Sequence, residues 1–316
     1  MTAATPAGAA RIVYLDEPTH ITAGFLACLS GLGSVRVHFD RPGPQETVRR
    51  LREADVVLVE WTRLTAEILR AAPTVRHIAT MLSATDQIDL RAAADLGISV
   101  SHCPRYSVAA VAEHVLACVA ALSRRLLPAH GAGAAGVGHR YVPFLGREAH
   151  EQVLGLVGTG RIGQAVAARG RALGMRVLGS NSRCSPVPGI EVVELAELAR
   201  RSDVICVQVP FTDATRGLLS AELIDAVRVG AIVVSVSRAG TIDLGALARR
   251  HVAGELGGVA LDDTPADLVP VLADVPNTLL TPGTAWYTRR SRTENLAEVL
   301  SNVRGFLEGE AVNVVT

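Results

Sequence analysis

The chain has 316 residues, with 31 basic and 31 acidic side chains, 49% hydrophobic residues and only 3% aromatic ones. That length suits two domains, and a net charge of zero gives no electrostatic reason to expect nucleic acid or an anionic membrane as partner. All 31 basic residues are arginine, so Schiff-base, nucleophilic or acid–base lysine chemistry is excluded.

Short apolar runs alternate with segments of helical period from one end to the other. The start, MTAATPAGAARIVYLD, lacks a charged segment followed by an apolar one, so no signal peptide is expected. RIVYL and VVLVE are the first two such runs and read as strands buried on both faces. A first set of strands is expected over about residues 11–102. A long helix follows over residues 107–127. Its apolar stretch is interrupted by Glu113 and His114 and is too short and polar for a membrane span. Residues 129–144, AHGAGAAGVGHRYVPF, are glycine-rich and without clear period, and read as a mobile loop. A second set of strands begins with VLGLVG and continues through VICVQV, AIVVSVS and GGVALD. A last helix is expected over residues 289–308, returning to the first domain. The pattern predicts an α/β protein of two Rossmann-like domains with parallel sheets. The five cysteines (Cys28, Cys103, Cys118, Cys184, Cys206) are odd in number, widely spaced and without a CxxC pair. Neither disulfides nor a metal site is expected, and a soluble protein of the reducing cytoplasm is.

The strongest signal is a buried strand over residues 153–157 running into Gly158-Thr159-Gly160-Arg161-Ile162-Gly163, then a helix, then a strand over residues 175–179. Gly158 allows the tight turn, Gly160 lets backbone approach a pyrophosphate, and Gly163 lets helix pack on strand. The anion then meets unpaired N–H groups at a helix N-terminus. In this strand–turn–helix–strand context the motif marks a dinucleotide site. NAD sites usually place Asp or Glu at the end of the second strand. Here the residues are Ser180, Asn181, Ser182 and Arg183. No carboxylate repels a 2′-phosphate and Arg183 can pair with one, which favours NADP over NAD. The alternative is an Arg183 that merely faces solvent in a site open to either cofactor.

With these residues in view, the chain resembles D-2-hydroxyacid dehydrogenases over nearly its full length. The matching segments are TDQIDLRAAADLGISV, YSVAAVAEHVLA, FLGRE, LVGTGRIGQAVA, VPFTDATRGLLS, VGAIVVSVSRAGTIDLGAL and NTLLTPGTAW. The resemblance implies reduction of a 2-keto acid with NAD(P)H or its reverse, an active site in the cleft between two domains, and a homodimer. It implies a substrate-binding, flavodoxin-like domain of residues 1–102 plus 288–316 and a dinucleotide-binding domain of residues 103–287. It places Val209, Pro210, Thr215, Val236, Ser237, Arg238, Asp262 and Gly283 along the cofactor, with Asp262 near the nicotinamide carboxamide. The family's substrate-binding arginine falls on Arg238. Its carboxylate falls on Asp267, one methylene shorter than the usual glutamate.

The family's TPH motif reads Thr281-Pro282-Gly283 here, so the proton-donating histidine is absent. A positioned general acid contributes roughly 10²–10⁴-fold. An ordinary 2-keto acid should therefore be reduced slowly, unless the acid is relocated or the substrate brings its own proton. Other departures cluster on the substrate side. Ala84 replaces a usual glycine in the Ser83-Ala84-Thr85 loop, His102 replaces a usual asparagine, and Arg105 a frequent glycine. His102 is the candidate replacement acid, although a structural histidine is the commoner case. Cys103 reads as a packing residue, Arg105 as an extra anion clamp, and Tyr287 and His139 as weaker candidates. Two further functions remain open on sequence alone: an NAD(P)-binding lyase or isomerase, or a non-catalytic cofactor-binding protein.

Overall fold

The computed structural model describes residues 10–138 and 141–316. It divides into two compact units, residues 1–107 with 288–316 and residues 108–287. The first contains β1 (Ala10–Tyr14), α1 (Ala23–Ser30), β2 (Gly33–Val37), α2 (Pro44–Leu51), β3 (Val56–Val59), α3 (Ala66–Arg70), β4 (His77–Thr80), α4 (Leu90–Asp95) and β5 (Ser99–Ser101). Its five strands are parallel in the order β2-β1-β3-β4-β5. Val13, Val57, Val59, Ile78 and Val100 bury one face of that sheet with Leu51, Leu69 and Ala93 of the helices.

The second unit contains α5 (Val108–Ser123), α6 (Leu126–Ala134), β6 (Val153–Val157), α7 (Arg161–Ala172), β7 (Arg176–Ser180), β8 (Glu191–Val192), α8 (Leu195–Arg201), β9 (Val204–Val207), α9 (Ala221–Asp225), β10 (Ile232–Ser235), α10 (Leu244–Val252), β11 (Gly258–Leu261), α11 (Val269–Leu272) and β12 (Thr278–Leu280). Its seven strands, also parallel, run β12-β11-β10-β9-β6-β7-β8. Side chains alternate between faces. On β9, Val204 and Cys206 enter the core beneath α5 and α7, while Ile205 and Val207 enter the one beneath α8 to α10. This is why its sequence, VICV, shows no polar alternation. The final helix, α12 (Arg289–Leu307), completes the first unit. Among the described residues no helix is long and apolar enough to cross a membrane.

Three expectations need correction. The long helix ends at Ser123, because Arg125 takes a left-handed backbone (φ 50°) that interrupts it. The glycine-rich segment is not simply a loop. Its first residues, to Ala134, belong to α6, which begins at Leu126 and ends near Gly136 at φ +76°, and residues 142–144 form a 3-10 turn. The boundary between the units falls after Ser107 rather than after residue 102. Glu298 of α12 accepts the backbone N–H groups of Arg105 and Tyr106, at 3.2 and 3.1 Å, and keeps that segment with the first unit.

Candidate active site

In the second unit the strand order reverses at β6 and β9, whose carboxyl ends carry Gly158 and Gln208. Ligands of doubly wound sheets bind at such a point. Gly158 has φ +96°, and a Cβ there would lie 2.8 Å from both Gln208 O and Val209 Cγ1. A Cβ on Gly163 would lie 2.3 Å from Gly158 O. Neither position admits a side chain. Gly160 differs, since a Cβ there meets nothing within 4 Å. It is the N-cap of α7 and offers no side-chain cap. The open cradle in front of α7 therefore fits a pyrophosphate, with the N–H groups of the first turn as donors.

Around this turn the predicted cofactor residues come together in part. Ser237 Oγ bonds both Val209 N (2.8 Å) and Val209 O (2.9 Å), tying the loop after β9 to the loop after β10. Val236 N donates to Val207 O at 3.1 Å. Thr215 Oγ1 accepts from Thr212 N at 2.8 Å and donates to Pro210 O at 2.6 Å, closing the turn over residues 210–215. Asn181 is engaged by the protein itself. Its amide donates to Thr159 Oγ1 and Ser185 O, both at 3.1 Å, and its oxygen accepts from Arg183 N and Ser185 N. Ser182 and Arg183 are exposed on the loop this asparagine braces.

Arg238 is exposed just beyond β10, and its carbonyl accepts from Thr241 N and Oγ1 at 3.0 and 2.8 Å. Asp263 Oδ2 accepts from Ala239 N at 2.8 Å and fixes the neighbouring backbone. Asp267 is also exposed, and its carboxylate makes no hydrogen bond or ion pair with another described residue. Asp262 is buried, and its carboxylate is occupied by Thr281 Oγ1 (2.6 Å), Thr284 N (2.8 Å) and Ala285 N (3.0 Å). These bonds hold the turn that carries Gly283. Gly283 has φ +73° and donates its N–H to Asp262 O at 2.6 Å. His114 of α5, inside the AEHVLA segment but not foreseen as part of the site, brings Nε2 to 3.5 Å from Thr281 Oγ1. Gln208, likewise unforeseen, donates to Gly158 O at 2.8 Å.

The first unit gathers the substrate-side departures. His102 Nδ1 lies 2.9 Å from Ser83 O. A carbonyl only accepts, so Nδ1 carries the hydrogen and Nε2 of the neutral ring is an acceptor. Asn302 bonds His102 O at 2.8 Å, and Cys103 N donates to Leu82 O at 2.9 Å. The loop is thereby laid against the segment, with Ala84 half-buried and Thr85 O accepting from Ile88 N at 2.9 Å. Cys103 is fully buried, and burial pushes its thiol well above the usual range, as befits a packing residue. Arg105 is already paired, its Nε 3.3 Å from Glu298 Oε1. Tyr287 meets the Trp286 ring edge-on at 5.1 Å. His139 lies outside the described residues.

The glycine turn at the point where the parallel sheet reverses its order defines a dinucleotide-binding α/β protein. The NAD-binding domain of D-isomer specific 2-hydroxyacid dehydrogenases matches residues 116–285. Glycerate dehydrogenase of Methylorubrum extorquens is 30% identical over 282 residues, covering 86% of this chain and 88% of that one. Glyoxylate reductase of Aeropyrum pernix is 32% identical over 285 residues, covering 85% of each. Among solved structures, an acyclic imino acid reductase in complex with NADPH and D-Arg is 34% identical with a TM-score of 0.94, covering 97% of this chain and 100% of that one. D-lactate dehydrogenase from Aquifex aeolicus, complexed with NAD and lactic acid, is 28% identical with a TM-score of 0.85, covering 95% and 96%. The chain belongs to the D-isomer specific 2-hydroxyacid dehydrogenase family. It is an NAD(P)-dependent oxidoreductase, and the lyase, isomerase and non-catalytic alternatives are not favoured.

Proposed function

We propose that the chain reduces the C=N bond of a 2-imino acid with NADPH, forming a 2-amino acid. The observation that carries this is Gly283, a glycine at φ +73° where the family has its proton donor. A ketone needs that proton as charge develops on its oxygen. An iminium ion already holds its proton on nitrogen. NADPH, when bound, supplies the hydride to the imine carbon. The C=N electron pair then moves onto nitrogen and leaves a neutral amine. Arg238 grips the substrate carboxylate, and Asp267 adds a negative charge that favours a cationic substrate. His102, its Nδ1–H donated to Ser83, presents Nε2 as an acceptor, which complements an iminium N–H and repels a carbonyl oxygen. Ser83, Ala84 and Thr85 line the substrate side, and Arg105, paired with Glu298, shapes it. The similar imino acid reductase, solved with NADPH and a D-amino acid, supports the same reading. NADPH consumption with a 2-keto acid should rise by roughly 10²-fold when a primary amine is added, the gain matching the general-acid contribution no longer needed. Equal rates with and without amine would overturn the proposal.

NADPH over NADH rests on the 181–183 loop. Arg183 is exposed, without an ion pair among the described residues, and residues 180–183 contain no carboxylate, while Glu194 accepts from the Sγ of the neighbouring Cys184. Arg183→Ala should weaken NADPH about tenfold, the worth of one charge-assisted contact, and leave NADH nearly unchanged. A fluorescence titration reads both, and tighter binding of NADH to the native chain would contradict the assignment.

A homodimer is also proposed. Tyr141, Val142 and Leu145 are large apolar side chains strongly exposed beside one another in sequence. Light scattering should give twice the chain mass, and Val142→Glu with Leu145→Glu should give single chains. The five cysteines are free thiols, which suits the reducing cytoplasm.

A further inference from the structure

We infer that the first unit has a small-molecule site of its own, for an amphipathic organic anion, a carboxylate carried on a flat or branched apolar group. The order β2-β1-β3-β4-β5 places a topological switch point between β1 and β3. In sheets of this order ligands bind beyond the carboxyl ends of those two strands. An open groove of about 300 Å³ lies beside this switch point, between the segments that follow β2 and β3, lined by Arg41, Pro42, Pro44, Trp61, Arg63 and Ile68 among others. That volume is at the small end of the range for ligand sites, roughly 300–1,000 Å³.

The wall of the groove formed by the turn after β3 is built in advance. Asp16, fully buried after β1, accepts the backbone N–H groups of Glu60 (3.1 Å), Trp61 (2.8 Å) and Thr62 (2.6 Å). Glu60, also buried, accepts from Tyr14 Oη at 3.1 Å and from Thr19 N at 2.9 Å. These bonds pin the turn after β3, so the exposed Trp61 and Arg63 have a fixed base. Arg41 is held too, with its guanidinium 5.0 Å over the Trp61 ring and Nε 3.5 Å from Glu17.

The charge at this mouth is positive and open. Arg63 has no ion pair among the described residues, and Glu17 answers only Arg41. One wall is the first turn of α2, whose N-cap, Gly43, provides no side-chain cap. The N–H groups of Gln45 and Glu46 have no acceptor among the described residues, and the Glu46 carboxylate is drawn onto Arg49 and Arg50 at 2.7 and 2.8 Å. An anion is therefore favoured. Pro42, Pro44, Ile68 and the indole of Trp61 supply apolar walls for the rest of the ligand. Mineral anions lack such a group, and amines meet two arginines.

The test is calorimetric titration of the whole chain without cofactor, using phenylacetate, acetate, inorganic phosphate and benzylamine. Phenylacetate should bind saturably, about tenfold or more tighter than acetate, since stacking and burial of the ring add to the anion contact. Phosphate should bind more weakly than phenylacetate, and benzylamine not at all. Arg63→Ala should weaken phenylacetate about tenfold or more. Arg70→Ala, on the exposed end of α3, should change nothing. Because Arg238 is proposed to bind carboxylates, the titration is repeated in Arg238→Ala, where phenylacetate binding at the first unit should persist. Loss of binding in Arg238→Ala with none in Arg63→Ala would overturn this site while leaving the proposed reaction intact. Equal binding of acetate, phosphate or benzylamine, or no saturable binding, would also overturn it.

Discussion

Arg238→Lys is expected to lower kcat/KM for the carboxylate substrate by roughly 100-fold, while NADPH affinity changes by no more than about twofold. A guanidinium presents a planar fork that meets both carboxylate oxygens, and an ammonium offers a point charge with a freely rotating head. Losing one arm of such a pair costs about 2.7 kcal/mol for two factors of ten in rate. The backbone beneath Arg238 does not depend on its side chain. Its carbonyl is held by Thr241, and the next N–H by Asp263 at 2.8 Å. The side chain is exposed beyond a buried strand, so the substitution should leave stability within about 0.5 kcal/mol. Thermal melting checks that, and steady-state kinetics with a cofactor titration checks the rest. An equal fall in cofactor affinity would show that Arg238 braces the nucleotide loops rather than gripping substrate.

How far this site could be read in advance depends on where each residue's partners lie. The β6–α7–β7 unit was legible because its determinants are local. An apolar run, three glycines at fixed offsets and a helical period all fall within 30 residues. β9 and β10 were legible because strands buried on both faces read as near-continuous apolar runs, VICV and IVVS, with only Ser235 polar. β2 and β4 gave no such signal. β2, GSVRV, alternates exposed and half-buried positions on the sheet edge. β4, HIAT, buries His77 and Thr80, which only tertiary partners make acceptable: Phe306 stacks on His77 at 4.3 Å, and Ser101 bonds its ring. The partner of Arg105, Glu298, could not be read in advance because it is 193 residues away. Nor could the three donors to Asp262, because they lie across a strand and a turn. Residues 129–144 looked like a loop because their glycines outweighed the alanines that, over residues 129–134, continue α6. The absent histidine was visible from the start. Its consequence was not, since the positive φ at Gly283 is a property of the folded turn.

That turn makes Gly283→His the most informative change in the chain. The ratio of keto acid to imino acid reduction should rise by roughly 10²-fold or more, the contribution of a positioned general acid that a ketone needs and an iminium ion does not. The first atom of the new side chain has room, since a Cβ at Gly283 meets only Asp262 O, at 3.9 Å. The left-handed backbone is the cost, about 1–2 kcal/mol for a residue with a Cβ, although histidine tolerates this region better than most residues. The three hydrogen bonds to Asp262 should keep the turn in place, so the melting temperature should fall by only a few degrees. Asp267, exposed and unpaired among the described residues, is the carboxylate that would orient the imidazole, and its shortened side chain sets the size of the gain. Adding Asp267→Asn to Gly283→His should therefore remove most of the keto acid activity, and lower amine-dependent turnover by the smaller loss of one negative charge near a cationic substrate. His102→Asn should do the reverse, lowering amine-dependent turnover in the native chain while sparing keto acid reduction in Gly283→His. Rates measured with and without a primary amine, at fixed NADPH, separate these effects. If Gly283→His lowers both activities in proportion, the added ring merely fills space needed by substrate, and the missing histidine does not explain the choice between C=O and C=N.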